Sequence, residues 1–162
     1  MENEFGVLSR VAGLFSARAF NIESLTVAET LDPTISRITL VTKGDDPVVE
    51  QIEKQLNKLI GVIQVIDFAG SPHVEREMAM IKVSADQHTR SEIMNIVDIF
   101  RGKVIDVGPR SFIVEVTGDE EKIQAILELL KPLGILEIAR TGKVAMHRGV
   151  RHMGGEEKEQ AA

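Results

Sequence analysis

Cysteine, tryptophan and tyrosine are absent from these 162 residues. Without cysteine there is no disulfide framework, no thiolate metal site and no thiol nucleophile. Six phenylalanines are the whole aromatic content, too sparse for the stacking platforms that bind single-stranded nucleic acid. No apolar run approaches the roughly 18 residues that a membrane helix needs. A net charge of −6, from 19 Lys and Arg against 25 Asp and Glu, argues against a general phosphate-binding surface. The acidic start Met1-Glu2-Asn3-Glu4 carries no signal or transit pattern. These exclusions leave a cytoplasmic protein, with no membrane and no nucleic-acid partner, as the expectation.

What is present is aliphatic periodicity. Val7, Leu8, Val11, Leu14 and Phe15 mark one helix face. That helix is expected to stop near Phe20-Asn21, where Asn tolerates a left-handed backbone. Strands are predicted over 22–27, 35–42 and 62–68. Between the last two, Asp46-Pro47 reads as a helix start, with Asp as N-cap and Pro in the first helical position. Val48, Val49, Ile52, Leu56, Leu59 and Ile60 then keep the helical period. Gly70-Ser71-Pro72 breaks the chain.

The second half follows the same plan with one more element. A strand over 74–84 alternates, with Met78, Met80 and Lys82 on one face and Ala79, Ile81 and Val83 on the other. A capping box of Thr89 and Glu92 is predicted to open the next helix. Strands follow at 103–107 and 112–117, then a helix capped by Asp119, then a strand from Ile135 running on to Val144. Residues 151–162 are polar and expected to be disordered. The second half therefore reads β-α-β-β-α-β and the first α-β-β-α-β. The fold class is α+β, with two tandem ferredoxin-like (βαββαβ) domains over 1–71 and 72–150, the first without its opening strand. That strand is central in the fold. Its absence is expected to leave a gap with unpaired backbone groups, unless another segment fills it.

No catalytic set emerges. The serines lack a G-x-S-x-G setting, and neither common phosphate-cradling glycine loop occurs. Thr141-Gly142-Lys143 imitates the end of a P-loop, but Glu137 stands where its first glycine belongs. Asp45-Asp46 is explained by helix capping. His73, His88, His147 and His152 read as exposed loop and tail residues, and no metal site is assigned. One constellation stands out: Glu2-Asn3-Glu4-Phe5-Gly6-Val7-Leu8, a polar loop with a glycine running into a helix N-terminus. Free N–H groups there suit a carboxylate, and the Asn3 and Asn21 amides suit an ammonium. The same residues also read as ordinary caps and turns, and both readings stay open on the residues alone.

The run Glu2-Asn3-Glu4-Phe5-Gly6-Val7-Leu8-Ser9-Arg10 together with Asn21-Ile22-Glu23-Ser24-Leu25-Thr26-Val27 resembles the ACT domain of acetolactate synthase small subunits. Later stretches, Val74-Glu75-Arg76-Glu77, Phe100-Arg101-Gly102-Lys103 and Glu137-Ile138-Ala139-Arg140-Thr141-Gly142, extend the likeness to about Gly149. The resemblance implies a non-catalytic regulatory subunit that activates a large catalytic subunit and confers feedback inhibition by valine in branched-chain amino-acid synthesis. Thiamine diphosphate, Mg²⁺ and FAD are expected in that large subunit and no cofactor in this chain. The resemblance also implies a homodimer with valine at its interface. Asn3, Gly6, Val7 and Leu8 then fall in the effector loop, Asn21 and Ile22 on the opposing wall from the partner subunit, and Ala28 and Gln51 at positions tied to the inhibitory response. Two departures stand out. Family members carry an apolar strand ahead of Glu2, and they carry glycine where this chain has Ala19, so the turn there is expected to differ. Competing readings are a stand-alone amino-acid-sensing ACT protein that regulates transcription or another enzyme, and a metal-responsive ACT-like protein. No helix-turn-helix, basic face or histidine spacing supports them.

Overall fold

The computed structural model describes residues 1–149; the expected disorder of 151–162 lies outside them. The chain divides into two compact units, one of residues 1–74 with the stretch from Ala145, the other Glu75–Val144. In the first unit the elements are α1 (Val7–Ala17), β1 (Ile22–Glu29), β2 (Ser36–Thr42) and α2 (Asp46–Leu56). In the second they are β3 (His73–Ser84), α3 (Arg90–Ile99), β4 (Lys103–Val107), β5 (Ser111–Gly118), α4 (Glu120–Gly134) and β6 (Ile135–Arg140), while β7 (Val144–His147) lies mostly in the first.

The second unit is a complete split βαβ sheet in the order β4-β5-β3-β6. β3 is antiparallel to β5 on one edge and to β6 on the other. Alternation on the pleat turns Ala79, Ile81 and Val83 to one face, as their spacing predicts, and all three are fully buried. Directly opposite them β5 supplies Val116, Val114 and Phe112. Ile93, Ile96 and Val97 of α3 and Ile123, Ile126 and Leu130 of α4 close over that face. Each such aliphatic side chain contributes about 1.5–3 kcal/mol when fully buried.

The first unit is a two-stranded antiparallel sheet, β1-β2, with α1 and α2 beside it. Only Val11, Phe15 and Ile52 are buried in its main cluster, against thirteen residues in the other unit's, so this core is thin. The predicted strand over 62–68 is absent. A strand is defined by a paired neighbour, and the backbone of 63–67 makes no backbone hydrogen bond among the described residues. The strand predicted to run from Ile135 to Val144 is also two: β6 ends at Arg140, the chain turns through Gly142 (φ 85°), and β7 follows.

Helix ends correct the sequence reading in three places. Asp45, not Asp46, caps α2, its carboxylate accepting the Val48 N–H at 3.1 Å, so Pro47 sits one residue further in. No capping box forms at α3. Asp86 instead accepts the His88 and Thr89 N–H groups at 2.8 and 2.9 Å, and the Thr89 hydroxyl is turned back onto it. After α1 the left-handed residue is Ala19 (φ 57°), not Asn21. The turn keeps the glycine-type conformation without a glycine. Asp119 caps α4 as expected, accepting the Lys122 N–H at 3.0 Å.

The charged groups that look chemical in the sequence are structural. Glu77, nearly buried, receives both arms of Arg140, from Nε at 2.8 Å and Nη2 at 2.6 Å. Lys143, the false P-loop lysine, pairs with Glu120 at 2.5 Å and Glu75 at 3.3 Å. Burial opposes its charge, but those two carboxylates outweigh burial and raise its pKa. His73 and His147 are half-buried rather than exposed, because their rings pack on Phe68 at 5.3 and 4.7 Å between centroids. His88 is exposed as predicted, and His152 lies outside the described residues.

Two stability changes follow. Arg140→Ala leaves the Glu77 carboxylate buried and unpaired, and urea unfolding is expected to show a loss of about 3 kcal/mol, with Arg140→Lys recovering only part of it. Ala19→Gly relieves a left-handed alanine and is expected to stabilise the chain by about 1 kcal/mol in the same measurement.

Candidate functional site

The loop ahead of α1 is tied down by backbone bonds. The Glu2 N–H donates to the Gly61 carbonyl at 2.7 Å and the Asn3 N–H to the Thr34 carbonyl at 2.7 Å. Met1 and Ser36 exchange two bonds, each 2.9 Å. Asn3 also donates its side-chain amide to Glu29 Oε1 at 3.0 Å and to the Pro33 carbonyl at 2.9 Å. Its amide oxygen carries no partner among the described residues, so that oxygen is the acceptor on offer.

Gly6 then turns the chain into α1 with φ 84° and ψ −8°, left-handed, with no atom within 4 Å of where a Cβ would stand. The glycine is needed for the backbone angle rather than for space. No side chain caps α1 and no acidic residue lies in its first turn. The Val7 N–H reaches the Glu4 carbonyl at 3.3 Å, and among the described residues no backbone acceptor takes the Leu8 or Ser9 N–H. These donors face the positive end of the helix dipole. The Val7 side chain is fully buried against Gly61, whereas Leu8 is exposed at the helix entrance.

The opposing wall is elsewhere. Asn21 lies past the far end of α1, and an eleven-residue helix is about 16 Å long. Asn3 and Asn21 therefore do not meet within one chain. The Asn21 carbonyl accepts the Thr42 hydroxyl at 2.6 Å, and Asn21 is exposed. Ile22 is half-buried on the first cluster. Ala28 is exposed on β1 opposite Arg37, and Gln51 is exposed on α2. Asn3, Gly6 and Leu8 thus lie along one loop and helix entrance, Asn21 lies beyond the far end of α1, and Ala28 stands on β1 next to Glu29, the partner of Asn3.

Glu29 and the hairpin carbonyls of Pro33 and Thr34 were not singled out in the sequence. They reach Asn3 only because β1 and β2 pair in the register Glu29↔Ser36, and no local signal gives a register. The hairpin is held by Asp32, which accepts the Thr34 N–H at 2.9 Å and the Thr34 hydroxyl at 2.7 Å. Those bonds, the hydroxyl first, lower the Asp32 pKa. Phe5 in the loop and Leu31 in the hairpin are wholly exposed, at 104% and 107%. Among the described residues no cluster of acidic or histidine side chains has the geometry to hold a metal, and no helix is long and apolar enough to cross a membrane.

An uncapped helix entered through a left-handed glycine, braced by a β-hairpin and followed by a second split βαβ unit, is the arrangement of an ACT-type domain joined to a ferredoxin-like one. Residues 1–64 match the family described as the AHAS small subunit-like ACT domain, and residues 76–149 match the small subunit of acetolactate synthase. The chain is 54% identical over 149 residues to the acetolactate synthase small subunit of Aquifex aeolicus, covering 91% of this chain and 78% of that one. It is 48% identical over 154 residues to the isozyme 3 small subunit of Escherichia coli K12, covering 94% of each. The crystal structure of the Thermotoga maritima acetolactate synthase small subunit superposes with a TM-score of 0.83 at 48% identity, over 91% of this chain and 92% of that one. The chain belongs to the acetolactate synthase small-subunit family.

The Asp32 carboxyl offers a check on the hairpin that braces Asn3. Its folded pKa lies below the ordinary value of 3.8, so its stabilisation is complete above that value and is lost as pH falls through the folded pKa. NMR titration is expected to give a midpoint below 3.8, returning towards it in Thr34→Ala.

Proposed function

We propose that this chain is the regulatory subunit of acetolactate synthase: it binds the catalytic large subunit, raises its activity and confers feedback inhibition by valine. The observation that carries the reading is the end-to-end likeness to proteins named as small subunits of that enzyme, through both units. In this reading the chain is non-catalytic, and thiamine diphosphate, Mg²⁺ and FAD belong to the large subunit. The protein works in the cytoplasm, where branched-chain amino acids are made, and needs neither nucleic acid nor membrane.

Valine fits the loop chemically. Its carboxylate takes the free Leu8 and Ser9 N–H groups, where the helix dipole favours an anion. Its ammonium meets the open amide oxygen of Asn3 and the Glu29 carboxylate beside it. Leu8 borders the branched side chain. Asn21 and Ile22 complete the site from a second copy, since about 16 Å of helix separates Asn3 from Asn21 in one chain. The exposed Phe5 and Leu31 support a homodimer. Ala28 and Gln51 contribute to the inhibitory response.

Purified alone with pyruvate, thiamine diphosphate and Mg²⁺, the chain is expected to form no acetolactate, and added to a large subunit it is expected to raise turnover and make it valine-sensitive. Turnover by the chain alone overturns the reading. Gly6→Asp and Gly6→Asn separate charge from backbone, since both residues tolerate a left-handed φ. Calorimetry is expected to show valine affinity at least tenfold weaker in the aspartate variant than in the asparagine one, about 1.4 kcal/mol, with inhibition of the holoenzyme weakened in parallel and activation kept. Equal affinities in the two variants, with no loss in Asn21→Ala, place valine elsewhere. Sedimentation at micromolar concentration is expected to give a dimer, and a stable monomer counts against the shared site.

A further inference from the structure

The chain leaves the first unit after Val74 and returns to it at Ala145. Ala145 is buried, and its carbonyl accepts a hydrogen bond from Nη2 of Arg37 at 2.6 Å, across 108 positions. Further along, the Arg148 N–H donates to the Pro72 carbonyl at 3.0 Å, its Nε donates to the His73 carbonyl at 3.1 Å, and the His147 ring packs on Phe68. Residues 145–148 are therefore held from two places, by the stretch 68–73 and by Arg37 of β2.

The bond from Arg37 has no competitor. A charged donor makes the stronger kind of hydrogen bond, and a half-buried guanidinium ordinarily takes a carboxylate. Among the described residues no ion pair of Arg37 is found. Ala28, directly opposite on β1, carries no side-chain acceptor. The guanidinium is thus committed to the Ala145 carbonyl. The register also sets this arginine beside the candidate site. β1 and β2 pair Glu29 with Ser36 and Ala28 with Arg37. Glu29 accepts the Asn3 amide at 3.0 Å, and Ser36 exchanges two backbone bonds with Met1. Arg37 lies one residue along β2 from the pair that braces the loop.

We propose that Arg37 is a positioning residue for the regulatory response: by holding the Ala145 carbonyl it carries the state of the Asn3–Glu29 brace to the point where the chain returns from the second unit. The inference rests on the reading of the loop as the effector site. Valine bound across Asn3 and Glu29 orders the end of the β1–β2 hairpin, and the tie extends that order to 145–148. A ligand that restricts one segment restricts what is fastened to it. Arg37 supplies no group to valine, so its loss separates binding from response.

Arg37→Met keeps the aliphatic stem and removes the donors. One nitrogen makes the bond, so Arg37→Lys, with a charged donor of similar reach, is the conservative replacement. Calorimetry on the full chain is expected to give both variants a valine affinity within about threefold of wild type. In the wild-type chain valine is expected to slow amide hydrogen exchange at least about threefold at 7–9 and at 145–148. Arg37→Met is expected to keep the first effect and lose the second. With the large subunit it is expected to keep activation and lose at least about half of the inhibition reached at saturating valine. Arg37→Lys is expected to recover most of both losses. An arginine that only fastens the fold would weaken affinity, activation and inhibition together or leave all three unchanged, and either result overturns the inference. So does a wild-type chain that binds valine without slower exchange at 145–148, or an Arg37→Lys variant that behaves as Arg37→Met does. A wild-type chain that binds no valine overturns the effector reading and this inference with it.

Discussion

In Glu75–Val144 the strand β3 gives and receives hydrogen bonds on both edges, to β5 and to β6, and the rest of that unit depends on it. With both edges paired, the strand holds its register, and Ala79, Ile81 and Val83 point together onto α3 and α4. The thirteen-residue core follows from that alignment. Buried backbone N–H and C=O groups must find partners, and the middle strand of a split βαβ sheet supplies more of them than any other element. In the first unit β2 has a paired strand on one edge only, 62–68 stays outside the sheet, and the fully buried part of the cluster is Val11, Phe15 and Ile52.

The same constraint shapes the candidate site in the first unit. Met1, Glu2 and Asn3 bond to the β2 side and to Gly61, and those bonds also set where Gly6 turns the chain into α1. The loop that offers free N–H groups at the helix entrance is thus an extension of the backbone pairing with β2. Asn3 strengthens the link through Glu29 and Pro33.

Much of the fold was legible in the residues, and the misses have physical causes. The alternation of Ala79, Ile81 and Val83 against Met78, Met80 and Lys82 placed β3 and its buried face. Asp119 was read correctly as a cap, whereas Asp46 was displaced by Asp45 and Thr89 by Asp86. Neighbouring acids and hydroxyls compete for the same N–H groups, and the winner depends on backbone angles that spacing does not encode. Ala19 adopts φ 57° although alanine disfavours it, because the path from α1 into β1 demands the turn. Two of the histidines read as exposed are drawn onto Phe68: His73 at 5.3 Å, five positions away, and His147 at 4.7 Å, across 79 positions. At the candidate site, Asn3, Gly6 and Leu8 are near neighbours in the chain, so their proximity is present in the string, whereas the approach of Glu29 to Asn3 is not.

By itself the sequence determined the local matters: helix faces from a 3.6-residue period, strand faces from a two-residue period, the starts of helices to within a residue or two and their C-terminal ends to within about four, and the repeat of one plan in both halves. These depend on interactions among residues a few positions apart, so their cause is present in the string. Tertiary structure alone decided that 62–68 is not a strand, that Glu29 meets Asn3 across 26 positions, and that Arg140 meets Glu77 across 63. Each of those depends on which backbone pairs with which and in what register, and pairing between distant segments is settled by the packing of the whole unit rather than by any stretch within it.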